Sequence, residues 1–266
     1  MARIAIRSID EAAAGPLPPG LALDKGEAFP VLAGSEVPIP LYRLHLEQGG
    51  TLRVDDAGGG TALYVRSGEL AVGNVAAPAG SSVIVEHRAS ATISAREASE
   101  LICFMIGEPN LDEITRAGGR IHVLPAHSVP RCRDFDGRGW VGGALFADSN
   151  CPTCEMWLHE TVLQPGGHET PVHSHDEDEV IVVIGGEILL GRRPYGPGTA
   201  IAIARDTMYG FHSGEAGLAF INFRPRSPVY VPADKSRAPI DERDFNLARM
   251  AAPEPITIDS PAAMAG

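Results

Sequence analysis

The sequence predicts an all-β chain built from two tandem copies of one small domain. Its 266 residues include 30 glycines and 22 prolines, about a fifth of the chain, which exceeds the average of about 12% but stays below the roughly 25–30% typical of disorder. Hydrophobic residues make up 44% and charged residues 21%, so the chain can form a core but does not resemble a coiled coil. Short apolar runs separated by turn residues, and a repeat of the sequence within itself, complete the evidence.

The charge balance limits the classes of partner. The formal net charge is −12, whereas phosphate binding requires a clustered basic surface. The most basic spots are short: Arg131 with Arg133, and Arg192 with Arg193. No window approaches the roughly 18 apolar residues of a membrane span, and acidic residues interrupt the N-terminal stretch where a signal peptide would be apolar. We therefore expect a cytoplasmic protein that binds neither nucleic acid nor membranes.

The internal repeat has an offset of 118 residues. The segment 62–73 aligns without a gap on 180–191, with one valine, one glutamate and two glycines identical, and the segment 78–85 continues on 196–203. This period is too long for a solenoid and indicates two copies of one small domain.

Each copy shows the pattern of short strands, because apolar runs of four to six residues alternate with glycine-bearing turns. The predicted strands are 41–47, 61–66, 82–86, 100–106, 155–163, 179–184, 200–204 and 217–223. Helical signals are few. We predict one short helix at 110–118, between the copies, and one at 241–250, near the C-terminus.

Five of the nine histidines lie between residues 159 and 212, and their densest stretch suggests a metal site. Residues two apart on a strand share a face, so His173 and His175 point the same way, and an extended continuation brings Glu179 to that face. Two imidazoles and one carboxylate converging from one side are typical of non-haem Fe(II) and similar divalent centres. Taken alone, the pair of histidines is also compatible with the polar end of a strand that exposes both side chains.

The spacing G-x5-H-x-H-x3-E-x6-G is met by Gly167, His173, His175, Glu179 and Gly186. This pattern resembles the first motif of the cupin family. Given the repeat, the resemblance extends over essentially the whole chain. It implies an all-β fold of two tandem cupin double-stranded β-helix (jelly-roll) barrels with few short helices, that is, a bicupin.

The second cupin motif, G-x5-P-x-G-x2-H-x3-N, is degenerate here. It begins at Gly198, but its proline, second glycine and asparagine are replaced, and Tyr209 stands where the ligand histidine belongs. Tyr209 would bind as a phenolate or act as a general acid/base or hydrogen-bond partner. His212 is a second candidate ligand, but a regular strand turns it away from Tyr209, so it needs a bulge or turn to reach the metal. Water is the third candidate.

The first copy is an internal control for the metal motif. At the same offset, Asp55, Ala57, Thr61 and Ala91 replace the two motif histidines, Glu179 and Tyr209. The first copy therefore lacks the ligands. His168 is interpreted as part of a strand-entry loop. The other five histidines are interpreted as surface or satisfied core residues: His45, His87, His122, His127 and His159.

The repeat and the motif predict four regions. They are an N-terminal barrel without metal ligands at 1–107, a linker with a short helix at 108–135, a metal-binding barrel at 136–235, and a C-terminal helix and tail at 236–266.

Cys151 and Cys154 form a C-x-x-C pair, which fits half of a zinc site or a redox dithiol. A structural zinc site requires four ligands, and no second C-x-x-C or histidine pair follows at suitable spacing. The sequence after Cys154 is predicted to be a strand, whereas a thioredoxin-like site precedes a helix. We therefore interpret the pair as two thiols in a loop.

Three further residues are candidates for substrate binding. Arg192, like its neighbour Arg193 and Arg205, is close in sequence to motif residues, and an inward-facing arginine would hold a substrate carboxylate. Phe211 and Phe223 would line the barrel, although core packing is the ordinary role of such residues.

The cupin resemblance implies an enzyme with one divalent first-row transition metal (Fe, Mn, Zn or Ni) in the C-terminal barrel. Its expected substrate is a small organic molecule, oxygen-bearing or a carboxylate, and the expected chemistry is of the dioxygenase or lyase/decarboxylase type, with Tyr209 as proton donor or acceptor. The alternative is a non-catalytic bicupin that binds a small molecule or a sugar. We also expect a homodimer, because the sheet edges of jelly rolls are commonly paired or covered.

Overall fold

A computed structural model describes residues 3–34, 37–55, 58–107, 117–133, 139–148, 150–243 and 250–260. Within these ranges the chain forms 21 strands and one short 3-10 helix, Ala126–Ser128, which confirms the all-β prediction. Most of the predicted helix at 110–118 and most of the one at 241–250 lie outside the described residues. In the described ranges, no helix has the length and apolar character needed to cross a membrane.

The strands are numbered in chain order. The first ten are β1 (Ile4–Ser8), β2 (Leu21–Leu32), β3 (Leu41–Asp55), β4 (Gly60–Ser67), β5 (Glu69–Val72), β6 (Val75–Pro78), β7 (Ser82–Glu86), β8 (Ser90–Ala95), β9 (Ser99–Met105) and β10 (Arg120–Leu124). The others are β11 (Arg131–Arg133), β12 (Trp140–Ala147), β13 (Trp157–Leu163), β14 (Glu169–His175), β15 (Glu179–Leu190), β16 (Arg193–Tyr195), β17 (Thr199–Ile203), β18 (Tyr209–Arg224), β19 (Val229–Pro232), β20 (Ile240–Asp241) and β21 (Ile256–Asp259).

These strands form two large antiparallel sheets, as expected for tandem jelly-roll barrels. The first sheet has the order β21-β10-β7-β4-β9-β3-β8-β5-β6, with β2 also paired to β3. The second has the order β1-β17-β15-β18-β13-β12-β11, with β14, β16, β19 and β20 attached beside it. The 16-residue β18 is central, because it pairs with β13, β14 and β15.

The internal repeat of the sequence corresponds to a repeat of the topology. The order β7-β4-β9-β3 in the first sheet matches β17-β15-β18-β13 in the second, and the matched strands are related by the sequence offset. The turn glycines match in conformation as well. Gly68 and Gly186 have φ values of 80° and 64°, and Gly73 and Gly191 have 58° and 62°. These positive values favour glycine, so each copy requires the same residue at the same turn.

Strand pairing crosses the boundaries expected from the sequence. The sequence predicts an N-terminal barrel at 1–107, and β1, within that range, pairs with β17 at the edge of the second sheet. In the other direction, β10 and β21 complete the first sheet although both follow residue 107. The physical reason is that an edge strand can be donated by any segment that reaches it, and the repeat of the sequence carries no information on such exchanges.

Apolar side chains form one core inside each sheet and a third core where the two sheets meet. In the shared core, the rings of Phe104 and Phe223 stack with their centroids 5.0 Å apart. Phe104 comes from β9 and Phe223 from β18, so equivalent strands of the two copies pack against each other. Burial of this kind makes the two halves interdependent.

Two glycine substitutions test the account of the repeated turns. An L-residue in the left-handed region costs about 1–2 kcal/mol, so we expect Gly191→Ala to lose about that much stability. A Cβ at residue 191 would meet no described atom within 4 Å, whereas a Cβ at residue 186 would collide with the Gly217 carbonyl oxygen. Gly186→Ala should therefore lose clearly more in urea unfolding. Equal losses for the two variants would contradict this explanation.

Candidate metal centre

A cavity of about 320 Å³ opens inside the second sheet. The side chains of His173 and His175 reach it from β14, and those of Tyr209 and Phe211 reach it from β18. The sequence predicted all four as site residues, and the fold brings them to one cavity. Its volume lies near the lower end of the roughly 300–1,000 Å³ typical of small-molecule sites.

The two motif histidines are buried and close together, with ring centroids 4.9 Å apart. His173 Nδ1 lies 2.6 Å from the carbonyl oxygen of Pro171. Because a carbonyl only accepts, Nδ1 carries the proton and Nε2 keeps its lone pair for another partner. Burial lowers the pKa of His173, and burial together with the nearby charge of Arg224 lowers the pKa of His175. Both imidazoles are therefore neutral, which is the form that binds metals.

Glu179 is held by a buried network of charges. Its Oε2 accepts hydrogen bonds from Arg224 Nη2 at 2.6 Å and from Asn222 Nδ2 at 2.8 Å. Arg224 Nη1 also donates to Glu242 at 2.8 Å. Burial alone would raise the pKa of Glu179, but the Arg224 charge outweighs it and lowers that pKa, so the carboxylate is ionised. The Tyr209 hydroxyl also lies beside the carboxylate and helps to lower the Glu179 pKa.

Tyr209 lies between the histidines and the carboxylate. Its ring centroid is 4.5 Å from that of His173, and burial together with the charge of Glu179 raises the pKa of its hydroxyl. Tyr230 stacks on the other side of His173, with centroids 4.5 Å apart and an interplanar angle of 19°. The His173 ring is therefore fixed by two aromatic neighbours and one hydrogen bond.

His159 also lines the cavity, although it was interpreted as a surface or satisfied core residue. It lies on β13, is buried, and has an Nδ1 atom with no described hydrogen-bond partner. Burial and the Arg224 charge lower its pKa to about 3, so it is a third neutral imidazole. Strand alternation accounts for this position, because residues two apart on a strand share a face and Thr161 also lines the cavity.

Three predicted site residues lie elsewhere. Phe223 is buried in the core between the sheets, because Asn222 and Arg224 on either side of it face the cavity. His212 is adjacent to Phe211 in β18, pairs with Leu189 and Glu169, and does not line the cavity in the described residues. Arg192 is exposed in the turn between β15 and β16. In the described residues these three lie apart from the cavity, and their roles in substrate or metal binding stay predictions.

The buried arginine at the cavity is Arg224 and not Arg192. Arg224 and Arg237 both line the cavity, and Arg224 is almost fully buried. A signal was present in the sequence, since Asn222 and Arg224 are polar residues at alternate positions of the apolar C-terminal part of β18. Such residues are rarely buried without a partner or a function.

The side chains present suit a divalent metal in their chemistry. Glu179 Oε2 is held by Arg224 and Asn222 as metal-bound carboxylates usually are, although Glu179 is not among the described residues that line the cavity. The donor atoms of His173, His175 and Glu179 do not all lie within 4.8 Å of one another. In the described part of the chain, the group of His, Cys, Asp or Glu donors within 4.8 Å of one another lies elsewhere, at Glu86, His122, Cys151 and Cys154.

Several solved structures have the same fold. YlbA from Escherichia coli is 16% identical with a TM-score of 0.62, and the match covers 84% of this chain and 90% of YlbA. A proposed dioxygenase from Nostoc punctiforme is 10% identical with a TM-score of 0.62, covering 90% and 86%. Oxalate decarboxylase from Bacillus subtilis is 12% identical with a TM-score of 0.60, covering 96% and 87%. No protein-family model matches the sequence, and no curated protein is a significant match.

At these identities the similarity concerns the fold, which hosts different activities on one scaffold. It supports the cupin resemblance at that level, because the matches extend over most of both chains. The function must be argued from the cavity itself.

Removing the buried arginine tests the charge network. We expect Arg224→Met to destabilise the protein by about 3–5 kcal/mol, because it leaves the Glu179 and Glu242 carboxylates buried without their cation. The exposed Arg192→Met is the matched control and should change stability by no more than about 0.5 kcal/mol. The measurement is chemical unfolding of both variants, and equal effects would contradict the network.

Proposed function

We propose that the chain is a metal-dependent bicupin enzyme that acts on a small oxygen-bearing or carboxylate substrate in the cavity of the second sheet. His173, His175 and Glu179 would hold one divalent first-row metal there. The observation that carries the proposal is the pair of buried histidine rings, 4.9 Å apart, on the same sheet as the buried Glu179 carboxylate. A purely structural core has no reason to keep this set, since burying it costs free energy.

The metal, when bound, would polarise a substrate oxygen or hold a substrate beside O₂, as lyase/decarboxylase or dioxygenase chemistry requires. The protein's own contribution is orientation. Pro171 fixes the His173 ring, and Arg224 with Asn222 fixes one oxygen of Glu179 so that the other faces away from them. These outer partners keep the ligands in place before anything binds.

Tyr209 is the proposed catalytic acid/base. Its hydroxyl is a neutral phenol beside Glu179 and at the cavity, where it can donate a proton to a bound substrate or hold the substrate by a hydrogen bond. Transfer of a proton by a positioned side chain typically contributes a factor of about 10²–10⁴ in rate.

The remaining walls select the substrate class. Ile181, Phe211 and Phe220 provide apolar surface that limits the access of water. Arg237 adds positive charge at the same cavity, whereas the charge of Arg224 is balanced by Glu179 and Glu242. A small substrate carboxylate is the ligand that suits this combination, because arginine binds carboxylates through paired hydrogen bonds.

The alternative is a non-catalytic bicupin that binds a small molecule or a sugar. One observation favours it: the described donors of His173, His175 and Glu179 do not gather within the 4.8 Å found for the other group. In that case Arg237 would supply positive charge at the cavity and no metal would be needed. Metal binding separates the two functions.

Binding of Mn²⁺ tests the proposed centre, because manganese prefers nitrogen and oxygen ligands to thiolates. We expect the metal-free protein to bind one Mn²⁺ per chain, observed by electron paramagnetic resonance, and the double variant His173→Ala, His175→Ala to bind none. His212→Ala is the matched control and should bind like the wild type, because His212 does not line the cavity. A wild-type protein that binds no divalent first-row metal at the cavity would favour the alternative function.

Replacing Tyr209 by phenylalanine separates catalysis from metal binding. We expect Tyr209→Phe to bind Mn²⁺ normally but to lower kcat by about 10²–10⁴. The assay would offer oxalate and other small carboxylic acids and follow CO₂ release and O₂ consumption. Loss of Mn²⁺ from this variant would instead identify Tyr209 as a ligand.

A further inference from the structure

A second group of metal-ligating side chains lies outside the cavity already described. Glu86, His122, Cys151 and Cys154 each offer one donor atom, and these four atoms lie within 4.8 Å of one another. Glu86, His122 and Cys154 are buried, and Cys151 is partly exposed. We call this group the cysteine cluster. The sequence showed only the cysteine pair, because the other two donors are far away along the chain.

Strand pairing explains how the cluster forms. On β10, His122 pairs with Ile84 of β7, so it lies diagonally across from Glu86 on the same face of the first sheet. Cys151 and Cys154 belong to the loop between β12 and β13 of the second sheet, which passes over that face. Two strands of one sheet and one loop of the other therefore supply the donors.

The donors converge on one point and do not form a catalytic relay. His122 Nε2 lies 2.6 Å from Glu86 Oε1 and 3.6 Å from Cys151 Sγ, so one ring nitrogen serves both neighbours. In a catalytic triad the carboxylate contacts the opposite ring nitrogen from the nucleophile. Here the opposite nitrogen, Nδ1, lies 3.0 Å from the hydroxyl oxygen of Thr257.

We propose that Glu86, His122, Cys151 and Cys154 bind one Zn²⁺ ion in a closed, four-ligand tetrahedral site that joins the two sheets. Thiolate, imidazole and carboxylate are the ligands that zinc takes in proteins, and four protein ligands indicate a structural site. Zinc bonds of about 2.0–2.3 Å would place neighbouring donors roughly 3.3–3.8 Å apart. The short contact between His122 and Glu86 would open slightly as the metal replaces the proton between them.

The surroundings of the cluster are those of a metal site. Thr257 would accept the Nδ1 proton of His122 and so fix its ring. The other oxygen of Glu86, Oε2, accepts the backbone N–H of Arg120 at 2.9 Å, and the hydroxyl of Thr153 donates to Oε1 at 2.6 Å. A cavity of about 220 Å³ borders His122 and both cysteines and gives a metal ion access from outside.

Sulfur ligation of zinc is the direct test, because the described residues that line the cavity of the second sheet include no cysteine. The full-length protein would be purified with its thiols reduced, loaded with Zn²⁺, and studied by X-ray absorption at the zinc edge. We expect two sulfur neighbours at about 2.3 Å. Zinc bound only by nitrogen and oxygen, no bound zinc, or a Cys151–Cys154 disulfide persisting in place of zinc would each overturn the proposal.

Variants assign the ligands. Cys151→Ser and Cys154→Ser should lose the sulfur signal, whereas Cys132→Ser is the matched control and should keep it. The double variant His173→Ala, His175→Ala should also keep it, so failure of the cluster is distinguishable from failure of the first metal centre. Retention of two sulfurs in both cysteine variants would overturn the assignment. If these variants do not fold, the number of sulfur neighbours in the wild-type protein still decides whether the cysteine cluster binds zinc.

Thr257→Val tests the proposed site without removing any of its four ligands. We expect zinc affinity to fall about 10- to 100-fold, the usual effect of losing a partner that orients a ligating histidine. The measurement is competition with a zinc chelator, and unchanged affinity would contradict His122 as a ligand in this orientation.

Discussion

The alternation of side chains along β18 determines what the second half of the chain can do. This strand pairs with three others, so successive residues in its buried parts face opposite sides of the sheet. Tyr209 and Phe211 face the cavity at one end, and Asn222 and Arg224 face it at the other. Phe223, between the last two, packs on Phe104 of the first half. A slip of one residue would exchange the site with the core, so the packing of the two halves also fixes the register of the site.

The arrangement of the site also depends on the positive charge of Arg224. Its two carboxylate partners, Glu179 and Glu242, are buried with it, and burial together with its charge lowers the pKa values of His159 and His175. Neutral imidazoles and an ionised carboxylate are what a divalent metal requires. The same guanidinium would oppose a bound cation if its charge were not already balanced by two carboxylates. The network therefore makes a metal and an arginine compatible in one small cavity.

Local patterns in the sequence predicted the strands, the repeated turns and the residues of the H-x-H stretch, because each depends on spacing within a few residues. They did not predict the exchange of β1 and β21 between the sheets, which depends on where distant segments reach an edge. The same limit applies to the cysteine cluster. Cys151 and Cys154 were visible as a pair, but Glu86 and His122 join them only through the pairing of β7 with β10. His159 and Arg224 line the cavity at alternate positions of their strands, Arg224 with Asn222 and His159 with Thr161, which is a local pattern.

The two proposed centres differ in their donors, and this difference has a consequence for how the halves cooperate. Nitrogen and oxygen donors suit manganese or iron, whereas a pair of thiolates favours zinc, so the centres need not compete for one ion. The loop that carries Cys151 and Cys154 leads directly into β13, which brings His159 to the cavity. An ion in the cysteine cluster would anchor the start of that strand to the first sheet. The first copy of the repeat, which lacks the H-x-H motif, would then still support the proposed chemistry of the second by fixing the wall on which His159 stands.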